Sequence, residues 1–144
     1  MIALSAVALV LLPLLAAWYA RARLIAVTVE GTSMEPTYAE GDRVLVRRVR
    51  PGRVRRGDVV VLDNPFGRGT VSQWVIKRAA ALPGDPVPRA EYPALAGVAE
   101  QRIPARRIVL RADNPHGGDS RTLGWVDSAT VVGIVMGRLP RGGR

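Results

Sequence analysis

The sequence has no cysteine and a single histidine, His116. Disulfides, thiol chemistry and cysteine-based zinc sites are therefore excluded, as is any metal centre built on several imidazoles. No metal and no cofactor is expected. Aromatic residues are only 5% of the chain, so Val, Leu, Ile and Ala must fill the core. Lysine is almost missing as well: of 21 basic residues, 20 are Arg and one is Lys77. Arg keeps its proton inside a protein, whereas a desolvated Lys can release it. The chain thus places generic positive charge on Arg and holds one amine able to serve as a base.

What is present bounds the fold. An apolar start followed by roughly 120 residues gives one core and no second one. Short Val-rich runs broken by Gly and Pro favour β-structure. The formal net charge is +9, but the arginines are scattered, with a modest cluster at positions 47–56. No helix-turn-helix, zinc-finger or RNA-binding signature accompanies them, so no nucleic-acid partner is expected. An anionic lipid bilayer beside a tethered basic domain is the more economical partner.

Residues 2–20 carry no charge. As a helix they would span roughly 28 Å, close to the hydrocarbon thickness of a bilayer. Trp18 and Tyr19 stand at the end of the run, where interfacial aromatics belong, and Arg21 and Arg23 follow. The expected organisation is an N-terminal transmembrane anchor at 1–22, a folded domain at 23–140 and a basic tail at 141–144. A cleaved signal peptide is the rival reading, weakened by the missing basic n-region. Arg21 and Arg23 by themselves would hold the domain on the cytoplasmic side.

Beyond the anchor, strands are expected at 24–29, 43–49, 58–62, 71–81, 108–112 and 130–139, with turns between them. Residues 89–104 read as a short helix or a loop. This is a mostly β domain of bent-sheet or barrel-like form.

Ser33 lies in Gly31-Thr32-Ser33-Met34-Glu35-Pro36-Thr37. A strand ending in Gly, then Ser, then Pro gives a rigid turn that exposes the hydroxyl. The Ser33 amide is then placed to face a developing oxyanion. A nucleophilic Ser needs a base, and two are available. His116 would build a Ser-His-Asp triad. Lys77 stands in Trp74-Val75-Ile76-Lys77-Arg78-Ala79, where alternation puts Val75, Lys77 and Ala79 on one strand face. Apolar surroundings lower a lysine pKa and leave a neutral amine.

Five further blocks follow in order. They are Gly41-Asp42-Arg43-Val44-Leu45-Val46, Gly57-Asp58-Val59-Val60-Val61, Lys77-Arg78 with Pro83-Gly84-Asp85, Asp113-Asn114, and Asp119-Ser120-Arg121. With the Ser33 block, this succession resembles the type I signal peptidase family. The resemblance implies a membrane-anchored Ser-Lys endopeptidase with a β catalytic domain on the extracytoplasmic side of the cell membrane. Its partners would be signal peptides of preproteins, cut after small residues in an Ala-x-Ala pattern. Ser33 would be the nucleophile and Lys77 the general base. Thr32, Met34 and Pro36 would shape the site and its oxyanion pocket. Arg78, Asp113, Asn114, Asp119, Ser120 and Arg121 would support it. Asp119 is expected to pair with Arg78 or Arg121, bracing the Lys77 strand.

Some features depart from that pattern. Gly31 stands where some relatives carry a Ser, and Ala112 where many carry a Gly. Gly117 and Gly118 occupy the stretch where some relatives place a Ser that orients the Lys. The short stretch between Asp85 and Asp113 leaves no room for the large accessory domain of some relatives. Two alternatives remain: a maturation protease for one dedicated substrate, such as a nickel-type superoxide dismutase, and a non-catalytic, membrane-tethered β binding domain.

Overall fold

The computed structural model describes residues 2–64 and 73–140, with side chains from residue 9 onward. Helix α1 runs from Ile2 to Arg23. Seven strands follow: β1 (Leu24–Thr28), β2 (Arg43–Arg48), β3 (Val59–Asp63), β4 (Trp74–Ala81), β5 (Arg107–Arg111), β6 (Val126–Asp127) and β7 (Val131–Arg138). A one-turn helix, α2 (Ser120–Leu123), precedes β6. The strands form one antiparallel sheet in the order β1-β2-β7-β3-β4-β5-β6. The expected β architecture is therefore present, as a curled half-barrel.

The curl follows from the sequence of β3. All of Val59, Val60, Val61 and Leu62 are buried, so this central strand has core on both faces. Val59 and Val61 join Met34, Val44, Val46 and Ile76 in one cluster. Val60 and Leu62 join Ala79, Leu110 and Ile134 in another. A strand covered on both faces loses the alternating pattern and reads as a continuous apolar run. Register shifts at Leu45/Val46, Val61/Leu62 and Ala79/Ala81 add the local twist that bends the sheet.

Several boundaries differ from the sequence expectation by a residue or two, as strand ends commonly do. The first part of the expected strand at 71–81 lies outside the described residues, as does the tail at 141–144. Residues 89–104 form a loop containing a single 3-10 turn, Pro93–Leu95. This loop is tied down by Arg89, which donates to the carbonyls of Val98 and Glu100. Tyr92, Leu95 and Ile103 fold under it against Ala81 and Val109. The polar loop expected at 113–122 ends in α2, capped by the side chain of Asp119.

From Leu9 to Tyr19 the large apolar side chains of α1 are exposed. Among the described residues no helix is long and apolar enough to cross a membrane. The expected anchor at 1–22 falls partly outside them, because the side chains of residues 1–8 are not described.

Candidate active site

The turn between β1 and β2 carries Ser33. It is closed at its base by Val29 and Gly41, whose amides donate to the carbonyls of Asp42 and Val29. Gly31 has φ +76, a left-handed conformation that costs an L side chain strain. A side chain at this position would carry that strain. Met34 follows Ser33 and is fully buried, packing in the cluster that holds Ile76. This buried methionine fixes the turn to the sheet while Ser33 itself stays half-exposed.

Lys77 enters from β4. Its register partner on β3 is Val60, which is fully buried, and Lys77 is itself only 6% exposed. Its Nζ stands 2.6 Å from Ser33 Oγ, so two groups 44 residues apart share one hydrogen bond. Burial pushes the Lys77 amine below its ordinary value, while the negative charge of Asp119 opposes the shift. Burial prevails, which favours the neutral amine able to accept a proton. His116, the other candidate base, is exposed, and its backbone amide donates to Asn114 Oδ1. The Ser33 hydroxyl is engaged by Lys77 instead.

The loop after β5 buttresses both groups. Asn114 grips the Ser33 turn twice. Its amide donates to the Ser33 carbonyl at 3.0 Å, and its Nδ2 to the Thr32 carbonyl at 3.1 Å. Asp113 receives a two-pronged bond from Arg78, Nε to Oδ1 at 2.8 Å and Nη2 to Oδ2 at 2.5 Å. Asp113 Oδ2 also accepts from Thr37 Oγ1 at 2.5 Å. The Arg78 bond, with help from Thr37, holds the Asp113 carboxyl below its usual range despite partial burial. The Ser33 turn, the residue following Lys77 and the buttressing loop are thereby linked through one carboxylate.

Asp119 is 1% exposed and lies in an ion pair with Arg121 at 2.8 Å. Of the two pairings expected for it, this is the one formed; Arg78 pairs with Asp113 instead. Asp119 Oδ2 accepts from the Ala112 amide at 2.7 Å, and Ser120 Oγ from the Leu110 amide at 2.8 Å. The segment 119–121 therefore ties down β5 and its end, next to the Lys77 strand, and the Asp119 charge reaches Lys77 itself.

Thr32 and Pro36 are exposed in the turn. Thr32 contributes its carbonyl, which accepts from Asn114 Nδ2 and the Glu35 amide. Thr37 and Gly117 carry contacts that the sequence motifs did not assign. Thr37 was visible only as the last residue of the Ser33 block. Gly117 stood out only as a departure from a pattern. A cleft of about 410 Å³ opens along β4 beyond Lys77, between Ala79–Ala81 and Val87 and Tyr92. Neither Ser33 nor Lys77 lines it.

The family model described as signal peptidase, peptidase S26, matches residues 3–94, a range that takes in both Ser33 and Lys77. A curated relative, signal peptidase I of Bacillus licheniformis, is 43% identical over 61 residues. That match takes in 41% of this chain and 31% of the relative, so the chain covers less than a third of the relative's length.

Proposed function

The chain belongs to the signal peptidase family, peptidase S26, and from that membership we propose that it is a serine endopeptidase working through a Ser33–Lys77 dyad. The observation that carries this reading is the 2.6 Å contact between Lys77 Nζ and Ser33 Oγ, made by an amine that burial drives toward neutrality. Lys77 takes the Ser33 proton as Oγ bonds to the scissile carbonyl carbon. The carbonyl oxygen becomes the oxyanion and receives the Ser33 amide. On collapse the C–N bond breaks, and the Lys77 ammonium returns the proton to the leaving amine. Water then attacks the acyl-enzyme, with Lys77 again accepting the proton, and Ser33 is regenerated.

The substrate we assign is the signal peptide of an exported preprotein, cut after small residues at Ala-x-Ala-like sites. Support comes from the family and from the sheet. β5 pairs with β4 only from Arg78 onward, so Val75 and Ile76, just before Lys77, have no β5 partner. An extended peptide adding along that edge would carry its carbonyl past Lys77 toward Ser33. Met34 and Ile76, both buried, pack in the core cluster behind that edge.

We further propose that residues 2–20 anchor the chain in the cell membrane, with the domain on the extracytoplasmic side. The uncharged run, the exposed Trp18 and Tyr19 and the arginines after them support anchoring; the sidedness rests on the family.

The test is cleavage of a preprotein bearing an Ala-x-Ala site, in detergent, by wild type, Ser33→Ala, Lys77→Arg and His116→Ala. Cleavage by wild type and His116→Ala alone is expected. Lys77→Arg keeps the charge but cannot act as a base, so turnover by this variant would overturn the dyad.

A further inference from the structure

Gly117 lies against the nucleophile more closely than a residue with a side chain could. A Cβ placed on Gly117 would lie 2.9 Å from Ser33 Cβ, 3.1 Å from Ser33 Cα and 2.8 Å from Ala112 Cβ. Ordinary van der Waals contact begins near 3.4 Å. The backbone of Gly117 is not in the positive-φ range, so its conformation would accept an L residue and space alone excludes one. Its neighbour Gly118 has open space around the corresponding position.

The loop has no easy retreat from such a clash. Asn114 is bonded to the carbonyls of both Thr32 and Ser33, which pulls residues 113–117 onto the nucleophile turn. The Gly117 amide donates to the Asn114 carbonyl at 2.9 Å. The Gly117 carbonyl accepts from Arg121 Nη2 at 3.3 Å, and Arg121 is itself paired with the buried Asp119. A side chain at 117 would therefore push against Ser33 while Asn114 holds the two segments together.

We propose that Gly117 is a positioning residue: its bare Cα is the backstop that sets the distance from Ser33 Oγ to Lys77 Nζ. Restoring ordinary contact requires a displacement of about half an ångström at Ser33 or at the loop. A misplacement of about 1 Å at a reacting group lowers a rate by about 100-fold. Gly117→Ala is accordingly expected to lower kcat by about 10-fold to 100-fold, with KM within about twofold of wild type.

The inference rests on the Ser33–Lys77 reading, so the experiment carries Ser33→Ala alongside. Wild type, Ser33→Ala, Gly117→Ala and Gly118→Ala are compared as full chains for kcat, KM and Tm on the same preprotein. The expected result is a selective kcat loss in Gly117→Ala, with Tm within a few degrees of wild type and Gly118→Ala unchanged. Equal kcat in Gly117→Ala and wild type overturns the proposal, as does an equal loss in both glycine variants. Activity in Ser33→Ala would instead remove the parent reading. If Gly117→Ala does not fold, Gly117→Ala/Ala112→Gly is set against Ala112→Gly alone. The Ala112 collision is then gone and the Ser33 collision remains, so a further kcat loss in the double variant is expected and equal kcat refutes the backstop.

Discussion

Replacing Asp119 by Ala removes a carboxylate that serves three partners at once. The Ala112 amide, at a residue 2% exposed, loses the acceptor it reaches at 2.7 Å. An unsatisfied buried donor costs about 1–3 kcal/mol. The cap on the Arg121 amide at 2.8 Å is also lost, and caps contribute about 1 kcal/mol. Arg121 is 31% exposed in its side chain, so solvent recovers most of its charge and we add nothing for it. The expected loss is about 3 kcal/mol, at the lower end of the range for breaking a buried pair. For a domain of this size that is a fall in Tm of about 10 °C. Asp119→Asn keeps one acceptor oxygen and should fall between.

The same carboxylate gives the prediction a pH signature. Burial alone would raise the Asp119 pKa, but the bonds from Arg121 and the Ala112 amide outweigh it and hold the carboxyl below its ordinary range. As pH falls, the unfolded chain takes up this proton first, near its ordinary value of about 3.9. The stabilisation is therefore complete above that value and is lost as pH drops through the lower native one. Thermal melts of wild type and Asp119→Ala at pH 7 and pH 3 should show a gap that narrows at the acid end. A variant melting within about 2 °C of wild type at pH 7, against an expected loss of about 3 kcal/mol, would refute the reasoning. So would a gap that widens in acid.

Two further outcomes are open to direct measurement. Lys77 is the sole lysine, so lysine-selective isotope labelling gives one side-chain signal by NMR. It should titrate below 10.5 because of burial, and lower still in Asp119→Asn, where the opposing charge is gone. Activity should rise with pH through that transition. The native state sheds this proton before the unfolded chain does, so stability should rise with pH between the lowered native value and 10.5. A signal titrating at 10.5 or above would contradict the neutral-amine base. Arg78→Lys keeps the charge but loses the two-pronged grip on Asp113 and the bond to the Gly57 carbonyl. We expect a loss of about 1–3 kcal/mol in urea unfolding and a lower kcat, whereas wild-type values for both would show the link to be idle.

Much of the strand pattern was legible because it rests on local chemistry. The run at 59–62 reads as a strand buried on both faces because it is. Val44 and Val46 alternate with exposed Arg43, half-buried Leu45 and exposed Arg47, and both are fully buried. The pair β6 and α2 was not legible. A two-residue strand and a one-turn helix lack the length for a periodic signal; they exist because Ile108 and Asp119 are there to receive them. The loop at 89–104 was ambiguous for a related reason: its Ala-rich composition permits a helix, and the packing of Tyr92 and Leu95 under the sheet decides otherwise.

The candidate site divides in the same way. One lysine among 20 arginines, set in an apolar strand, marks Lys77 by composition and pattern alone, and the Gly-x-Ser turn marks Ser33. Which partner each charged residue chooses is set by the order of strands. Arg78 meets Asp113 because the loop after β5 folds over the Ser33 turn, while Asp119 pairs with Arg121. The weight of Gly117 is likewise invisible in a string of letters, since a glycine in a polar loop reads as freedom and here an added Cβ would lie 2.9 Å from Ser33 Cβ. Sequence determines what each residue can do with its neighbours along the chain. Only the curled sheet determines which distant groups are brought within bonding distance, because that depends on loop closure and core packing summed over the whole domain.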